Sequence, residues 1–253
     1  MLTKLIALPF LILLYCGSLS AAEKVNVGGY LSPPFIEQDN QGNISGITLD
    51  LINSLNKIQH EYHFNLVLTS SRRRYVFFQQ GQFDLFFFER KVWGWQDIAI
   101  VEIKLPFKGG DIFIALKSKA KQQDYFNSLK NKSISAMLGY HYNFADFNAD
   151  PNFLRSKFDI QLSSDERVNV QLVLWGKMDI AIVTKSFLDK YLLDNPSAKS
   201  ELLIATKMDQ KYQHTILLRE NTNLSVTTMN MLLDKLVASG EYNKIMQKYG
   251  ITP

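Results

Sequence analysis

The stretch GQFDLFFF at residues 81–88 sets the architecture of the chain. From Asp84 to Phe88 it is almost continuously apolar, which is typical of a strand covered on both faces in a parallel sheet. The preceding residues, 72–80, predict a short helix that Gly81 ends. A helix followed at once by a fully buried strand favours α/β architecture.

The same alternation of short apolar runs and helical patterns extends to both sides of this stretch. At 48–59, Leu49, Ile52, Leu55 and Ile58 recur at helical spacing. Turns are predicted at 32–34 and 40–43. The predicted strands are 25–27, 63–69, 84–88, 112–116, 133–138, 179–183 and 215–218, and the predicted helices are 48–59, 72–80, 166–174, 186–193, 224–237 and 240–246.

Composition and charge are those of an ordinary globular protein. The 253 residues are 46% hydrophobic and 21% charged, and 28 basic residues face 24 acidic ones. A net charge of +4 is too small and too scattered for a nucleic-acid platform. The sequence contains no apolar run of about eighteen residues, so no transmembrane helix is predicted.

The first 22 residues have the pattern of a secretory signal peptide. Lys4 precedes an apolar run at 5–14, and cleavage is expected after Ala22, which leaves the small residues Ser20 and Ala22 at positions −3 and −1. The protein is therefore expected in the periplasm. Cys16, the single cysteine, lies inside this segment, so the mature chain would form no disulfide. Lipidation of Cys16 is the alternative, although Tyr15 stands where lipoprotein signals carry a small residue.

The ends of the predicted strands carry polar and aromatic side chains. Ligands of open α/β sheets sit outside the carboxyl ends of the strands, so these residues are candidates for a binding site. These residues do not include a serine or cysteine nucleophile with a partner base, and the four histidines are not spaced as metal ligands usually are. The candidates are Tyr30, Arg72, Glu89, Arg90, Trp93, Trp95, Gly139, Tyr140, His141, Tyr142 and Thr184.

Fragments spread along the mature chain resemble the bacterial extracellular solute-binding proteins of family 3, the amino-acid-type periplasmic receptors of ABC importers. The fragments include Pro33-Pro34-Phe35, Gly81-Gln82-Phe83-Asp84, Leu129–Ile134, Gly176-Lys177-Met178-Asp179, and the ending from Asn230 to Gly250. The resemblance implies a two-lobed, type II periplasmic-binding-protein fold in which each lobe is a mostly parallel sheet flanked by helices. Lobe 1 would hold 23–106 and 214–253, lobe 2 would hold 110–211, and the crossings would fall near 105–110 and 211–214.

The resemblance also assigns roles to candidate residues. It implies an aromatic lid at Tyr30 and a carboxylate site at Gly139, Tyr140, His141 and Tyr142, formed by a glycine and the first amides of a helix. Relatives hold the ligand's ammonium with an aspartate five residues after the aspartate of the glycine–aspartate motif, and that position here is Thr184. Either Glu89 supplies the missing carboxylate, or the ligand is not an ordinary α-amino acid.

Several candidates allow two interpretations. Glu89 suits an ammonium group and Arg90 a carboxylate or phosphate, although the two could pair with each other instead. Trp93 and Trp95 predict either a stacking wall for a flat or cationic ligand or simple loop packing. Arg72, the first of three consecutive arginines, either faces the cleft or is solvated.

The sequence therefore predicts a monomeric, non-enzymatic receptor that closes on a small polar solute, amino-acid-like, cationic or aromatic. No cofactor or metal is expected, and an inner-membrane ABC permease is the expected partner. Two alternatives remain open. One is an enzyme on the same scaffold, similar to a cyclic-acid dehydratase, with Glu89 and His141 as acid and base. The other is a sensory binding protein without a dedicated permease.

Overall fold

The computed structural model describes residues 21–251, and its strands form one large mixed sheet and one small hairpin. The signal-peptide prediction and Cys16 fall on residues 1–20, outside the described range, apart from Ala21 and Ala22. None of the helices within 21–251 is long and apolar enough to cross a membrane.

The secondary-structure elements follow the alternation expected from the sequence. The strands are β1 (Glu23–Gly29), β2 (Glu37–Gln38), β3 (Ile44–Ser45), β4 (Tyr62–Leu68), β5 (Leu85–Glu89), β6 (Ile100–Leu116), β7 (Ile134–Met137), β8 (Ile160–Ser163), β9 (Ile180–Thr184), β10 (Leu202–Ile204) and β11 (Gln210–Arg219). The helices are α1 (Ile47–Ile58), α2 (Arg74–Gln79), α3 (Pro151–Lys157), α4 (Glu166–Leu174), α5 (Lys185–Asp194), α6 (Pro196–Glu201), α7 (Val226–Ala238) and α8 (Glu241–Lys248).

The large sheet has the strand order β4-β1-β5-β11-β6-β9-β7-β8, with β10 paired to β6. The outer strands on each side pair in parallel, β4 with β1 and β1 with β5 at one end, β9 with β7 and β7 with β8 at the other. The two long strands in the middle, β6 and β11, pair antiparallel, with the whole of β11 lying along residues 100–111 of β6. They connect the two parallel halves.

Two separate hydrophobic cores lie on the two halves of this sheet. The first core packs β1, β4 and β5 against α1, α7 and α8, and the second packs β7, β8 and β9 against α4 and α5. Strand β6 contributes Leu105 and Phe107 to the first core and Ile112 and Ile114 to the second. The lobe boundaries predicted from the sequence stay a prediction, but β6 and β11 run through both halves where the crossings are expected.

The predicted elements are confirmed with ends that shift by one or two residues in most cases. The sequence patterns missed α3, α6, β2, β3, β8 and β10, which are all short. They also missed the first half of β6, because Pro106 interrupts the apolar alternation there. Pro106 lies at a register shift between β6 and β11, where a missing amide costs no ladder hydrogen bond.

Candidate functional site

A cavity of about 60 Å³ lies between the two cores, beside the long strands β6 and β11. At roughly 10–15 Å³ for each water, it has room for a few water molecules or a compact solute. Its walls combine aromatic rings with a few buried charged and polar groups. The lining residues are Gly29, Tyr30, Ser32, Phe35, Ile36, Thr48, Arg74, Phe86, Phe87, Phe88, Glu89, Trp93, Asp111, Tyr140, His141, Thr184, Gln210, Tyr212 and His214.

The carboxyl end of β5 forms one wall because its backbone leaves regular strand geometry. Phe88 has a φ of 60°, a left-handed conformation that side chains rarely adopt. The pairing of β5 with β11 shifts register between Thr215 and Leu217, opposite this point. All four residues from Phe86 to Glu89 therefore line the cavity, whereas a regular strand would turn alternate side chains away.

Arg74 and Glu89 form a buried ion pair in this wall. Arg74 Nε lies 3.0 Å from Glu89 Oε1, and the two side chains are 2% and 1% exposed. Trp95 Nε1 donates to Glu89 Oε2 at 3.0 Å. Burial raises the pKa of Glu89, and the Arg74 charge offsets part of that rise. Burial alone would lower the pKa of Arg74, but the Glu89 carboxylate together with the nearby tyrosines outweighs it and the pKa is raised. The Arg74 guanidinium therefore keeps its positive charge, and the negative charge of Glu89 balances it.

Asp111 places a second carboxylate at the cavity, on the strand β6 that links the halves. Gln210 Nε2 donates to it at 2.5 Å and the Tyr212 hydroxyl donates at 3.2 Å. Both donors are neutral, and Asp111 forms no salt bridge within 4.0 Å among the described residues. Burial raises the pKa of Asp111 to about 7.

The two histidines of the cavity are neutral. Burial lowers the pKa of His141 and of His214 to about 3 each. His214 stacks on Phe107 with ring centroids 4.9 Å apart, and its Nδ1 lies 3.1 Å from the Phe88 carbonyl. His141 Nδ1 is buried and has no hydrogen-bond partner within residues 21–251. The His141 ring therefore lines the cavity with one nitrogen whose hydrogen bond is unmade.

Direct contacts join the two halves around the cavity. The Ser32 and Tyr140 hydroxyls lie 2.8 Å apart, and Ser71 Oγ donates to the Leu138 carbonyl at 2.8 Å. Gly139 follows with a φ of 81°, and a Cβ built there would lie 2.9 Å from Ser71 Oγ. Glycine is therefore required where the second half approaches the first.

Two backbone amides in the segment after Gly139 are engaged by the protein itself. Asn143–Ala145 form a short 3-10 turn rather than an α-helix, and the amides of Asn143 and Phe144 donate to the Asp209 carboxylate at 2.8 and 3.0 Å. Those two amides are therefore not free to hold the carboxylate of a ligand.

Thr184 is similarly occupied. Its hydroxyl caps α5 by accepting from the Phe187 amide at 3.3 Å, and it also donates to Glu166 Oε2 at 3.2 Å. The Thr184 amide donates to Glu166 Oε1 at 2.5 Å. Burial raises the pKa of Glu166 well above its ordinary range.

The structure brings six of the predicted site residues together at the cavity and places the others around it. The six are Tyr30, Glu89, Trp93, Tyr140, His141 and Thr184. Arg72 is exposed, Gly139 packs on Ser71, and Arg90 stacks on the rings of Trp93 and Tyr212. Trp95 is buried in an aromatic cluster, and the Tyr142 hydroxyl accepts from the Met137 amide inside the second core.

Sequence reasoning missed seven polar residues that line the cavity: Ser32, Thr48, Arg74, Asp111, Gln210, Tyr212 and His214. A usable signal existed for four of them. Gln210, Tyr212 and His214 recur at period two, so they share one face of a strand. Asp111 is a lone acid before the apolar run Ile112–Leu116. Arg74 offered no signal that separated it from Arg72 and Arg73.

The described residues contain no cluster of histidine, cysteine or acidic side chains suited to a metal ion. The chemistry available at the cavity is instead hydrogen bonding, one ion pair, one further carboxylate and aromatic stacking.

No protein-family model matches the sequence, and a search of curated proteins finds no match. Solved structures do match. An ancestral arginine-binding protein bound to arginine has a TM-score of 0.71 at 17% identity, covering 91% of this chain and 99% of that one. The arginine-, lysine-, histidine-binding protein ArtJ from Geobacillus stearothermophilus has a TM-score of 0.69 at 18% identity, covering 91% and 97%.

A third match is the ancestral amino-acid-binding protein AncCDT-1, a precursor of cyclohexadienyl dehydratase. Its TM-score is 0.69 at 17% identity, and the alignment covers 89% of this chain and 95% of that one. These similarities establish the fold: the chain has the two-lobed α/β fold of periplasmic binding proteins, as the sequence predicts. The matches agree with the resemblance to family 3.

Proposed function

We propose that the protein is a periplasmic receptor that closes on a small polar, amino-acid-like solute and delivers it to an ABC permease. The observation that carries the proposal is the interlobe cavity, which combines buried charged groups with aromatic rings from both halves of the fold. Solute sites are typically concave and mostly apolar, with a few polar groups that fix the ligand's orientation.

The solved structures support this proposal. Two of them are named for binding arginine or for binding arginine, lysine and histidine. The contacts between Ser32 and Tyr140 and between Ser71 and Leu138 are of the kind that a bound solute would stabilise by holding the lobes together. A monomer is sufficient for this function, because both walls of the cavity come from one chain.

A thermal-shift screen of amino acids and small amines, followed by calorimetry, tests the proposal. A receptor of this kind should be stabilised by at least one compound and bind it with one-to-one stoichiometry. No stabilisation by any compound in the screen would contradict the proposal.

Trp93 should contribute directly to binding. Its ring lines the cavity and meets Tyr212 edge-on with centroids 4.8 Å apart. We expect Trp93→Ala to weaken binding of the compound found in the screen by roughly 1–3 kcal/mol, the scale of a lost aromatic contact. Calorimetry on the variant measures this loss. Trp175→Ala is the matched control, since Trp175 lies directly after α4, is 66% exposed and should leave affinity unchanged.

An enzyme on the same scaffold is the second candidate function. Glu89 and His141, the expected acid and base, both line the cavity, and one solved structure is a precursor of cyclohexadienyl dehydratase. The pairing of Glu89 with Arg74 favours a binding role, because the ion pair occupies the carboxylate that would have to transfer the proton. Incubating the protein with cyclohexadienyl acids and finding turnover by mass spectrometry would support the enzyme.

A further inference from the structure

We infer that the interlobe cavity selects a compact solute of net charge +1 and seats its cationic group against Asp111. This inference rests on the proposed function, because it names the class of solute that the same site takes. It follows from which of the charged side chains that line the cavity have a partner of opposite charge and which one does not.

Three charged side chains line the cavity: Arg74, Glu89 and Asp111. Arg74 and Glu89 neutralise each other at 3.0 Å. The other basic lining groups, His141 and His214, are neutral. Among the described residues that line the cavity, Asp111 is therefore the one ionisable acid without a partner of opposite sign, and the cavity carries a single negative charge when Asp111 is ionised.

Asp111 has the surroundings of a cation site. It is 3% exposed and held by two neutral donors, Gln210 and Tyr212. A buried carboxylate without a cation is costly, and a cationic solute would remove that cost. The rings of Trp93, Tyr212 and His214 line the same cavity, and aromatic faces also favour a desolvated cation.

Two of the groups that could bind an anion are already engaged by the protein. The amides of Asn143 and Phe144 hold Asp209, and Arg74 holds Glu89. Arg90 lies over the rings of Trp93 and Tyr212 and is absent from the cavity lining. A solute with a net negative charge would therefore meet Asp111 without a free cation to balance it.

The titration of Asp111 provides an independent readout. Burial raises its pKa to about 7, and the hydrogen bond from Gln210 offsets part of the rise. Two charged groups shift the pKa of Asp111: Asp209 before β11 and Arg90 after β5. Asp111 in turn raises the pKa of Glu166 at the start of α4, of Tyr212 on β11 and of Tyr142 beside the 3-10 turn.

The direction of the pH dependence follows from these groups. Below pH 7 the empty site holds a neutral Asp111, so a cation must displace a proton to bind. Affinity for a cation should fall as the pH is lowered from 8 to 5.5, by up to about tenfold for each unit below the pKa. Asp209, whose pKa burial raises to about 6, lies outside the cavity lining and keeps its amide partners.

The experiment is calorimetry on the whole mature chain with defined probes. L-arginine, L-lysine, choline and ethanolamine are the cations, L-glutamine and L-leucine the neutral solutes, and L-glutamate the anion. The tightest-binding probe should be a cation, and Asp111→Asn should weaken its binding at pH 8 by roughly 30-fold or more. The same substitution should abolish the pH dependence. Asp234→Asn, at an exposed position of α7, is the control and should change neither.

Each remaining outcome overturns the inference in a distinguishable way. If L-glutamine, L-leucine or L-glutamate binds more tightly than every cation, or if Asp111→Asn retains full affinity, the charge selection is wrong while the receptor function stands. If none of the probes binds, the charge selection is overturned, and the wider thermal-shift screen decides separately on the receptor function. A thermal melt of Asp111→Asn without ligand shows that the variant is folded.

Discussion

Replacing Arg74 by methionine should destabilise the protein by about 3–5 kcal/mol, the cost of breaking a buried ion pair by removing one partner. Glu89 would remain 1% exposed with no cation beside it, and its pKa would rise further. Methionine fills a similar volume, so the loss of charge rather than a cavity dominates the effect. Urea unfolding at pH 7 measures the change in the free energy of unfolding.

Two further variants separate the ion pair from other effects of the substitution. In the double variant Arg74→Met with Glu89→Gln, both charges are gone, so most of the lost stability should return. Arg73→Met is the matched control, because Arg73 is the exposed neighbour of Arg74 and should change stability little. A double variant as unstable as Arg74→Met alone would contradict the role of the ion pair.

Replacing Trp95 by alanine should destabilise the protein by about 3–5 kcal/mol, as expected for emptying the place of a large core side chain. Trp95 is fully buried, and its ring meets those of Tyr75, Phe78 and Phe86 at centroid distances of 4.8, 5.3 and 5.5 Å. The variant also removes the indole hydrogen bond to Glu89. Thermal and urea unfolding both measure the effect.

The exposed Trp175 again provides the control, since Trp175→Ala removes the same side chain from a solvated position. It should change the free energy of unfolding by less than about 0.5 kcal/mol. Equal effects of the two tryptophan variants would mean that Trp95 is not part of a packed core.

The two tryptophans show how far the sequence could predict the site. Their spacing around Gly94 indicated either packing or a stacking wall, and the structure assigns the packing to Trp95 while Trp93 lines the cavity. Sequence spacing could not separate them, because the loop between β5 and β6 has no regular period. The choice is set by tertiary contacts, chiefly the hydrogen bond from Trp95 to Glu89.

The fold was more predictable than the polar part of the site. Long periodic segments such as α1, α4 and the buried β5 carry their own signals, and the structure confirms them. The positions of Asp111 and Arg74 depend on contacts between residues far apart in the chain. Asp111 meets Gln210 and Tyr212, and Arg74 meets Glu89, so neither environment is visible in a local pattern.

The most direct test of the central claim is the distance between the lobes with and without solute. Gln38 and Val168 are exposed neighbours of Glu37 and Arg167, which form a salt bridge of 3.6 Å across the cleft. Cysteines at 38 and 168 can be labelled selectively, because Cys16 lies in the expected signal segment. Single-molecule energy transfer between the labels reports closure.

Saturation with the compound identified by thermal shift should move the molecules into a population with a short distance between labels, as expected when a ligand binds both lobes of the closed form. The solute-free protein should retain a larger population at long distance. An identical distance distribution with and without a compound that calorimetry shows to bind would contradict closure on a solute between the lobes.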